Sequence, residues 1–296
     1  MNGVIVINKE KGYTSFDVVQ VVRRILGVKK AGHTGTLDPN ATGVLPVLLG
    51  TATKAQDIIP NHDKAYRAAF RLGIATDTLD IWGTVQQEEH THLSAQEIER
   101  ALSRFRGKIE QLPPMYSAVS VDGKRLYQYA REGVTVERRT RTVTVYALTL
   151  LRFDEQRQEG ELSIACSRGT YVRTLIDDLA RSLGTVGVMT DLERTAACGY
   201  TLADAVTLST LGDIAAAGTL ELRDVESLFQ SFPELVVSDA QAHRFRNGNP
   251  LSLDRTALKH HADDGAVYRV KDSGGQFLSL GIVDMDAGEL KMYKHF

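Results

Sequence analysis

The twelve residues Gly32-His33-Thr34-Gly35-Thr36-Leu37-Asp38-Pro39-Asn40-Ala41-Thr42-Gly43 constrain this chain more than any other stretch. Three glycines and a proline surround one carboxylate, a composition that neither a helix nor a regular strand sustains. Glycine reaches backbone conformations closed to other residues and proline fixes φ, so the run reads as a shaped loop. Loops held by a rigid scaffold are where reactive groups are aimed. Read alone, Asp38 also fits a simpler role, since Asp-Pro commonly opens a turn. Spacing does not decide between the two.

The surrounding pattern mixes helix and strand signals. Val4 to Ile7 is a short apolar run suited to a buried strand. Thr14 with Asp17 forms a capping box ahead of Val18, Val19, Val22, Ile25 and Leu26, and Gly27 ends that helix. Ser94 and Glu97 repeat the signature ahead of Ile98, Ala101, Leu102 and Phe105. Alternation predicts strands at Tyr66 to Leu72, Thr142 to Phe153 and Leu162 to Cys166. The mixture points to an α+β fold rather than a regular βαβ series.

A boundary is expected near Ser231-Phe232-Pro233. Beyond it, Ser238 and Gln241 cap a short helix that Asn247-Gly248 ends, with further strands expected at Ala266 to Val270, Phe277 to Val283 and Leu290 to Tyr293. The expected division is therefore 1–232 and a small, mostly β unit over 233–296.

Composition narrows the function classes. With 43% apolar and 24% charged residues, the 296-residue chain is an ordinary globular one. No apolar run approaches the ~18 residues of a membrane span. The N-terminus lacks a signal-peptide pattern, so a cytoplasmic location is expected. Cys166 and Cys198, without CxxC spacing or a histidine cluster, speak against a zinc site or a disulfide framework. The net charge of −2 hides a basic segment. Between residues 124 and 141, Lys124, Arg125, Arg131, Arg138, Arg139 and Arg141 oppose Glu132 and Glu137, six against two, for +4. Tyr116, Tyr127 and Tyr129 are interleaved with these charges or flank them. Such a patch suits RNA phosphates, though a solvated surface has the same composition. The wider segment 113–141 reads as a polar, weakly periodic insertion between a helix and a strand, a kind of stretch usually functional or mobile.

Three motifs resemble one family. The Gly32–Gly43 string is similar to the catalytic motif of the bacterial tRNA pseudouridine-55 synthases (TruB), close to G-H-T-G-x-L-D-P-x-A-T-G. Cys166-Ser167-Arg168-Gly169-Thr170-Tyr171-Val172-Arg173-Thr174 resembles the family's C-S-x-G-T-Y-I-R-T stretch. Asp63-Lys64-Ala65-Tyr66-Arg67, succeeded by Gly73 and Thr76-Asp77-Thr78, resembles D-K-x-Y-x with its G-x-x-T-D-T continuation. The resemblance implies a pseudouridine-synthase catalytic domain, built on a mixed or antiparallel sheet flanked by helices, with a C-terminal PUA-like RNA-binding domain. It implies isomerisation of the T-loop uridine of tRNA at position 55, with no cofactor and no metal. The T-stem-loop of tRNA would be the partner, with no obligatory protein partner.

The same resemblance implies residue roles. Asp38 is the essential carboxylate, and Arg173 is the arginine paired with it. That pairing meets a general need, since a carboxylate that must stay ionised away from water requires a cation beside it. By helical spacing Arg173 stands off the apolar stripe Val172, Leu175, Ile176 and Leu179, and its local alternative is an i,i+4 pair with Asp177. Tyr66 is implied to stack on the flipped base, with Tyr171 near the same nucleotide. His33 would fill the space the base leaves, and Leu192 would line the uracil pocket. Segment 113–141 matches a thumb-like insertion that closes over RNA, so Lys124, Arg125, Arg138, Arg139 and Arg141 are candidate RNA contacts.

Departures from the family pattern are Glu10 for proline, Glu193 for arginine, and Val188-Met189 where Ala-His is common. Two other classes compete: a non-catalytic RNA-binding factor, and a carboxylate glycosidase. The second needs another acidic group at a suitable separation, and none stands out.

Overall fold

The computed structural model describes residues 1–296. The chain runs through strand β1 (Gly3–Lys9), helix α1 (Ser15–Leu26), β2 (Ala31–His33), β3 (Thr42–Leu49), β4 (Lys64–Leu72), β5 (Ile74–Thr76), β6 (Val85–Glu88), α2 (Ala95–Leu102) and β7 (Gly107–Gln111). It continues with β8 (Ser120–Val121), β9 (Lys124–Arg125), α3 (Leu126–Arg131), β10 (Arg141–Asp154), β11 (Glu159–Cys166), α4 (Val172–Ser182), β12 (Gly187–Ala197), β13 (Tyr200–Thr201) and α5 (Leu208–Ala216). The last part holds β14 (Glu234–Val236), α6 (Asp239–Arg246), β15 (Leu251–Ser252), β16 (Val267–Lys271), β17 (Phe277–Asp284) and β18 (Glu289–Lys294).

A nine-stranded sheet in the order β1-β3-β12-β4-β11-β10-β7, with β2 paired to β3 and β13 to β12, forms the scaffold. Only the β3–β12 pair is parallel. The expected α+β class with a mixed, mainly antiparallel sheet is therefore observed. Three apolar clusters occupy this scaffold's surfaces, one of them gathering Val4, Val6, Val44 and Leu48 with Phe229 and Leu280. Another joins Phe70, Leu162 and Ile164 to the apolar stripe of α4. The third joins Ile7, Leu45 and Val47 to Val18, Val19 and Val22 of α1 and Leu211 of α5.

Capping behaves as the sequence predicts. The hydroxyl of Thr14 accepts from the Asp17 N–H and the Asp17 carboxylate accepts from the Thr14 N–H, while Gly27 ends α1 at φ 64°. Ser94 with Glu97 and Ser238 with Gln241 do the same for α2 and α6.

The basic segment differs from the sequence reading in two ways. It comes after a strand, not a helix, and it links β7 to β10, which pair antiparallel from Arg141↔Gln111 to Val145↔Gly107. It also carries structure of its own, the β8–β9 hairpin and the short α3. Strand β7 is mostly exposed and has little apolar alternation, so the apolar pattern used to find strands passes over it.

Residues beyond Pro233 form a separate five-stranded sheet, β14-β16-β17-β18-β15. Phe245 of α6, Leu235, Val270, Val283 and Leu290 make its core. No helix is long and apolar enough to cross a membrane.

Candidate active site

Asp38 lies in the stretch between β2 and β3, and Arg173 lies in the first turn of α4. They meet: Nε of Arg173 is 3.1 Å from a carboxylate oxygen of Asp38. The arginine is 6% exposed, whereas the Asp38 side chain remains 40% exposed, so the carboxylate faces the cleft and the guanidinium sits behind it. The local alternative is not realised, because Asp177 is bound by Arg181 at 2.8 Å.

A third member has no signature in the sequence. Asp80, in the turn between β5 and β6, approaches the same guanidinium at 3.5 Å. Arg173 further donates to the carbonyls of Thr78 and Tyr116, both at 2.9 Å. The loop of Asp80 is itself tied to β12 through Ile81 N–H to Met189 O and Met189 N–H to Leu79 O. Burial pushes the Asp80 carboxyl above its ordinary range, opposed by the Thr78 hydroxyl and the charge of Arg173. The motif Thr76-Asp77-Thr78 points to this loop, but nothing local distinguishes Asp80 within it. With it, two carboxylates share one guanidinium, Asp38 on Nε and Asp80 on Nη1.

Tyr66 and Leu192 reach the same cleft from neighbouring strands. Register places Tyr66 opposite Arg194 and Leu192 opposite Ala68 in the β4–β12 ladder. The cleft has a volume of about 590 Å³, and Asp38, Tyr66, Tyr171, Arg173 and Leu192 all line it. Arg141 and Arg168 stand at it as well. Burial pushes the Tyr66 hydroxyl up to about 12, so the ring stays neutral at any physiological pH. Tyr171 is the N-cap of α4, and its backbone is held on both sides by the Gln111 amide.

His33 is placed differently. It ends β2, does not line the cleft, and its Nδ1 has no hydrogen-bond partner. Burial, then the charge of Arg194, holds its pKa down.

The five basic candidates separate. Lys124 is ion-paired with Glu132 and lies over the Tyr129 ring, 4.6 Å from its centroid. Arg125 donates to Ala118 O and Arg138 to Pro113 O. Arg139 and Arg141 are exposed and line a second, smaller pocket beside the β8–β9 hairpin. Arg141 borders both cavities. No cluster of histidine, cysteine or acidic residues could hold a metal ion.

Two sequence models match consecutive stretches. TruB family pseudouridylate synthase (N terminal domain) covers residues 23–172, and tRNA pseudouridylate synthase B C-terminal domain covers 173–230. The chain belongs to the TruB family of pseudouridylate synthases. Among TruB relatives, the tRNA pseudouridine synthase B of Lactobacillus delbrueckii subsp. bulgaricus is 44% identical over 284 residues, 92% of this chain and 95% of that one. Those of Clostridium perfringens and Escherichia coli O139:H28 are each 40% identical over 95% and 96% of this chain and over 95% and 92% of theirs. A chain from the crystal structure of a Cbf5-Nop10-Gar1 complex superimposes with a TM-score of 0.75 at 25% identity, covering 99% of this chain and 84% of that one. The TruB C-terminal model ends at residue 230, before the separate five-stranded sheet begins.

Of the departures, Glu193 lies in β12, in register with Thr42 of β3 and Arg67 of β4. Val188 and Met189 are buried in the sheet, with Met189 supporting the Asp80 loop, and are not exposed to a ligand. Glu10 is exposed and contributes its carbonyl to Lys9.

Proposed function

We infer that this protein is a tRNA pseudouridine synthase, an isomerase of uridine in tRNA that works without a cofactor. Its site is proposed to act at position 55, in the T-loop. The observation that carries this reading is the Asp38–Arg173 pair at the floor of a cleft lined by Tyr66 and Leu192.

The reaction breaks the C1′–N1 bond, turns the uracil, and forms a C1′–C5 bond. N1 gains a proton and C5 loses one, so nothing is oxidised. A carboxylate beside the ribose suffices to start it, by attack at C1′ or by removal of a ribose proton. Asp38 is proposed as that group, with Arg173 compensating its charge and fixing its direction. Extruding a nucleotide from a stem-loop costs a few kcal/mol. Tyr66 is proposed to offset part of this by stacking its neutral ring on the uracil, with Leu192 and Tyr171 completing the pocket. His33 is proposed to act only if RNA draws it from β2. Arg139 and Arg141 are the proposed phosphate contacts of the insertion. Residues 233–296 are proposed as the PUA-like RNA-binding module, which widens the footprint on folded RNA.

The test is incubation with unmodified tRNA transcript, mapping pseudouridine by carbodiimide-dependent primer-extension stops. A single T-loop stop is expected with the native protein and none with Asp38→Asn, which should still bind the transcript. A protein that binds tRNA but leaves no stop would instead be a non-catalytic RNA-binding factor.

A further inference from the structure

The segment Gly35–Pro39 has no regular hydrogen-bonded structure, yet four of its five carbonyls are bound by buried side chains from elsewhere. Arg194 donates from Nη2 to Gly35 O at 3.1 Å and from Nη1 to Thr36 O at 3.3 Å. Ser15 Oγ accepts from Leu37 N–H at 2.8 Å and donates to Leu37 O at 3.2 Å. Lys9 Nζ donates to Pro39 O at 3.0 Å. The fifth carbonyl, that of Asp38, accepts from Ala41 N–H within the loop. The three outside side chains come from β12, α1 and β1, and their residues are 0, 2 and 0% exposed.

Arg194 is unusual in its surroundings. It has no acidic partner within ion-pair distance; its third donor, Nε, goes to Val44 O at 2.7 Å. A fully buried guanidinium without a carboxylate is expensive to desolvate, and apolar packing of similar volume would often stabilise a fold as well. Its donors are directed instead to the backbone entering and leaving the Asp38 loop. Strand β3 is drawn close to make this possible: Gly43 pairs with Arg194, has φ +102°, and any Cβ there would lie 2.2 Å from Arg194 O. Reacting groups misplaced by about 1 Å can lose on the order of 10²-fold in rate. A loop without its own ladder needs such external restraint to hold one carboxylate in one place.

We propose that Arg194 and Ser15 are positioning residues, which hold the backbone on the N-terminal side of Asp38 so that its carboxylate meets both Arg173 and the ribose. The proposal rests on the reading of Asp38 as the reacting carboxylate. It concerns the catalytic step, not RNA affinity, because neither side chain is exposed to a ligand.

The experiment compares Ser15→Ala and Arg194→Lys with the native protein, measuring single-turnover conversion at saturating tRNA, tRNA affinity by filter binding, and the thermal midpoint. Leu211→Ala, in the core between α1 and α5, serves as a destabilised control that makes none of the loop's hydrogen bonds. The expected result is a fall of about 10- to 100-fold in conversion rate with affinity changed less than about twofold. The control should melt earlier yet convert at the native rate. Native rates in both folded variants would overturn the proposal, as would rate losses that only match the control. If Arg194→Lys does not fold, Ser15→Ala decides alone. Asp38→Asn is assayed beside them. Activity there removes the site reading itself, whereas an inactive Asp38→Asn with an undiminished Ser15→Ala removes only the positioning role.

Discussion

At the scale of single residues, the site is an exercise in placing charge. Arg173 is nearly buried and stands between two carboxylates, Asp38 at 3.1 Å and Asp80 at 3.5 Å, so its position is set from both sides. Removing the charge of Asp80 should leave the guanidinium free to shift toward Asp38 alone and reorient that carboxylate. Asp80→Asn is therefore expected to slow single-turnover conversion by roughly 10-fold with tRNA affinity unchanged, since the loss is one of orientation. Single-turnover assays with labelled uridine would read the rate, and filter binding the affinity. A rate equal to the native one would mean that Asp80 only fixes its own turn, through the Thr78 hydroxyl at 2.7 Å and the Trp82 N–H at 3.2 Å. Of these three charged residues, Asp38 and Arg173 stand in motifs long enough to be read from the sequence. Asp80 does not, because an aspartate in a polar turn has the same local signature whether or not a distant arginine approaches it.

At the scale of elements, capping boxes and apolar periodicity locate α1, α2, α4, α6 and the strands β1, β4, β10, β11, β16, β17 and β18, but pass over β3 and β12. These signals are local: a hydroxyl and a carboxylate three residues apart satisfy each other's N–H groups wherever the helix lies. The insertion departs from its sequence reading for the complementary reason. Strand β7 presents little apolar alternation, and its existence depends on β10, which supplies its hydrogen-bond partners. The structure also changes which basic residues are free to meet RNA. Lys124 is engaged by Glu132, and Arg138 by Pro113 O, while Arg139 and Arg141 stay exposed beside the cleft. Replacing Arg139 and Arg141 by Ala should weaken tRNA binding and reduce the slope of log affinity against log salt by about 1–2, as fewer counterions are released. An unchanged slope in salt-dependent filter binding would show that the pair faces solvent in the complex.

At the scale of the whole molecule, the two sheets share an apolar cluster in which Leu280 of β17 is buried with Val4, Val6, Val44 and Leu48 of the larger sheet. Phe229 is fully buried and packs on Phe232 and Phe296 with ring centroids 6.2 and 5.4 Å apart. Beside it, Arg269 and Lys271 of β16 meet Glu226 and Glu234, and Arg269 also donates to Phe232 O. Arg269→Ala would strip Glu226 of one of its two cations. It should cost about 2–3 kcal/mol, somewhat below the ~3–5 of a fully buried pair because these side chains keep 12 and 15% exposure. Urea titration would measure it, and a loss under about 0.5 kcal/mol would mean that apolar packing alone joins the two sheets. The β character of the segment beyond Pro233 is readable from turn residues and alternation. Helices α1, α2, α4 and α6, strands β1, β4, β10, β11, β16, β17 and β18, and the motif residues Asp38, Tyr66 and Arg173 were determined by the sequence itself, because each is a local pattern or an unbroken string; the shaped run proved shorter than Gly32–Gly43, since its two ends are taken into β2 and β3. The tertiary structure alone decided that β12 lies between β3 and β4, which puts Arg194 beneath the Asp38 loop and Leu192 in the cleft. It alone brought Asp80 to Arg173. Those pairings join residues far apart in the chain, and long-range contacts of that kind depend on how whole sheets assemble, which no short window of sequence contains.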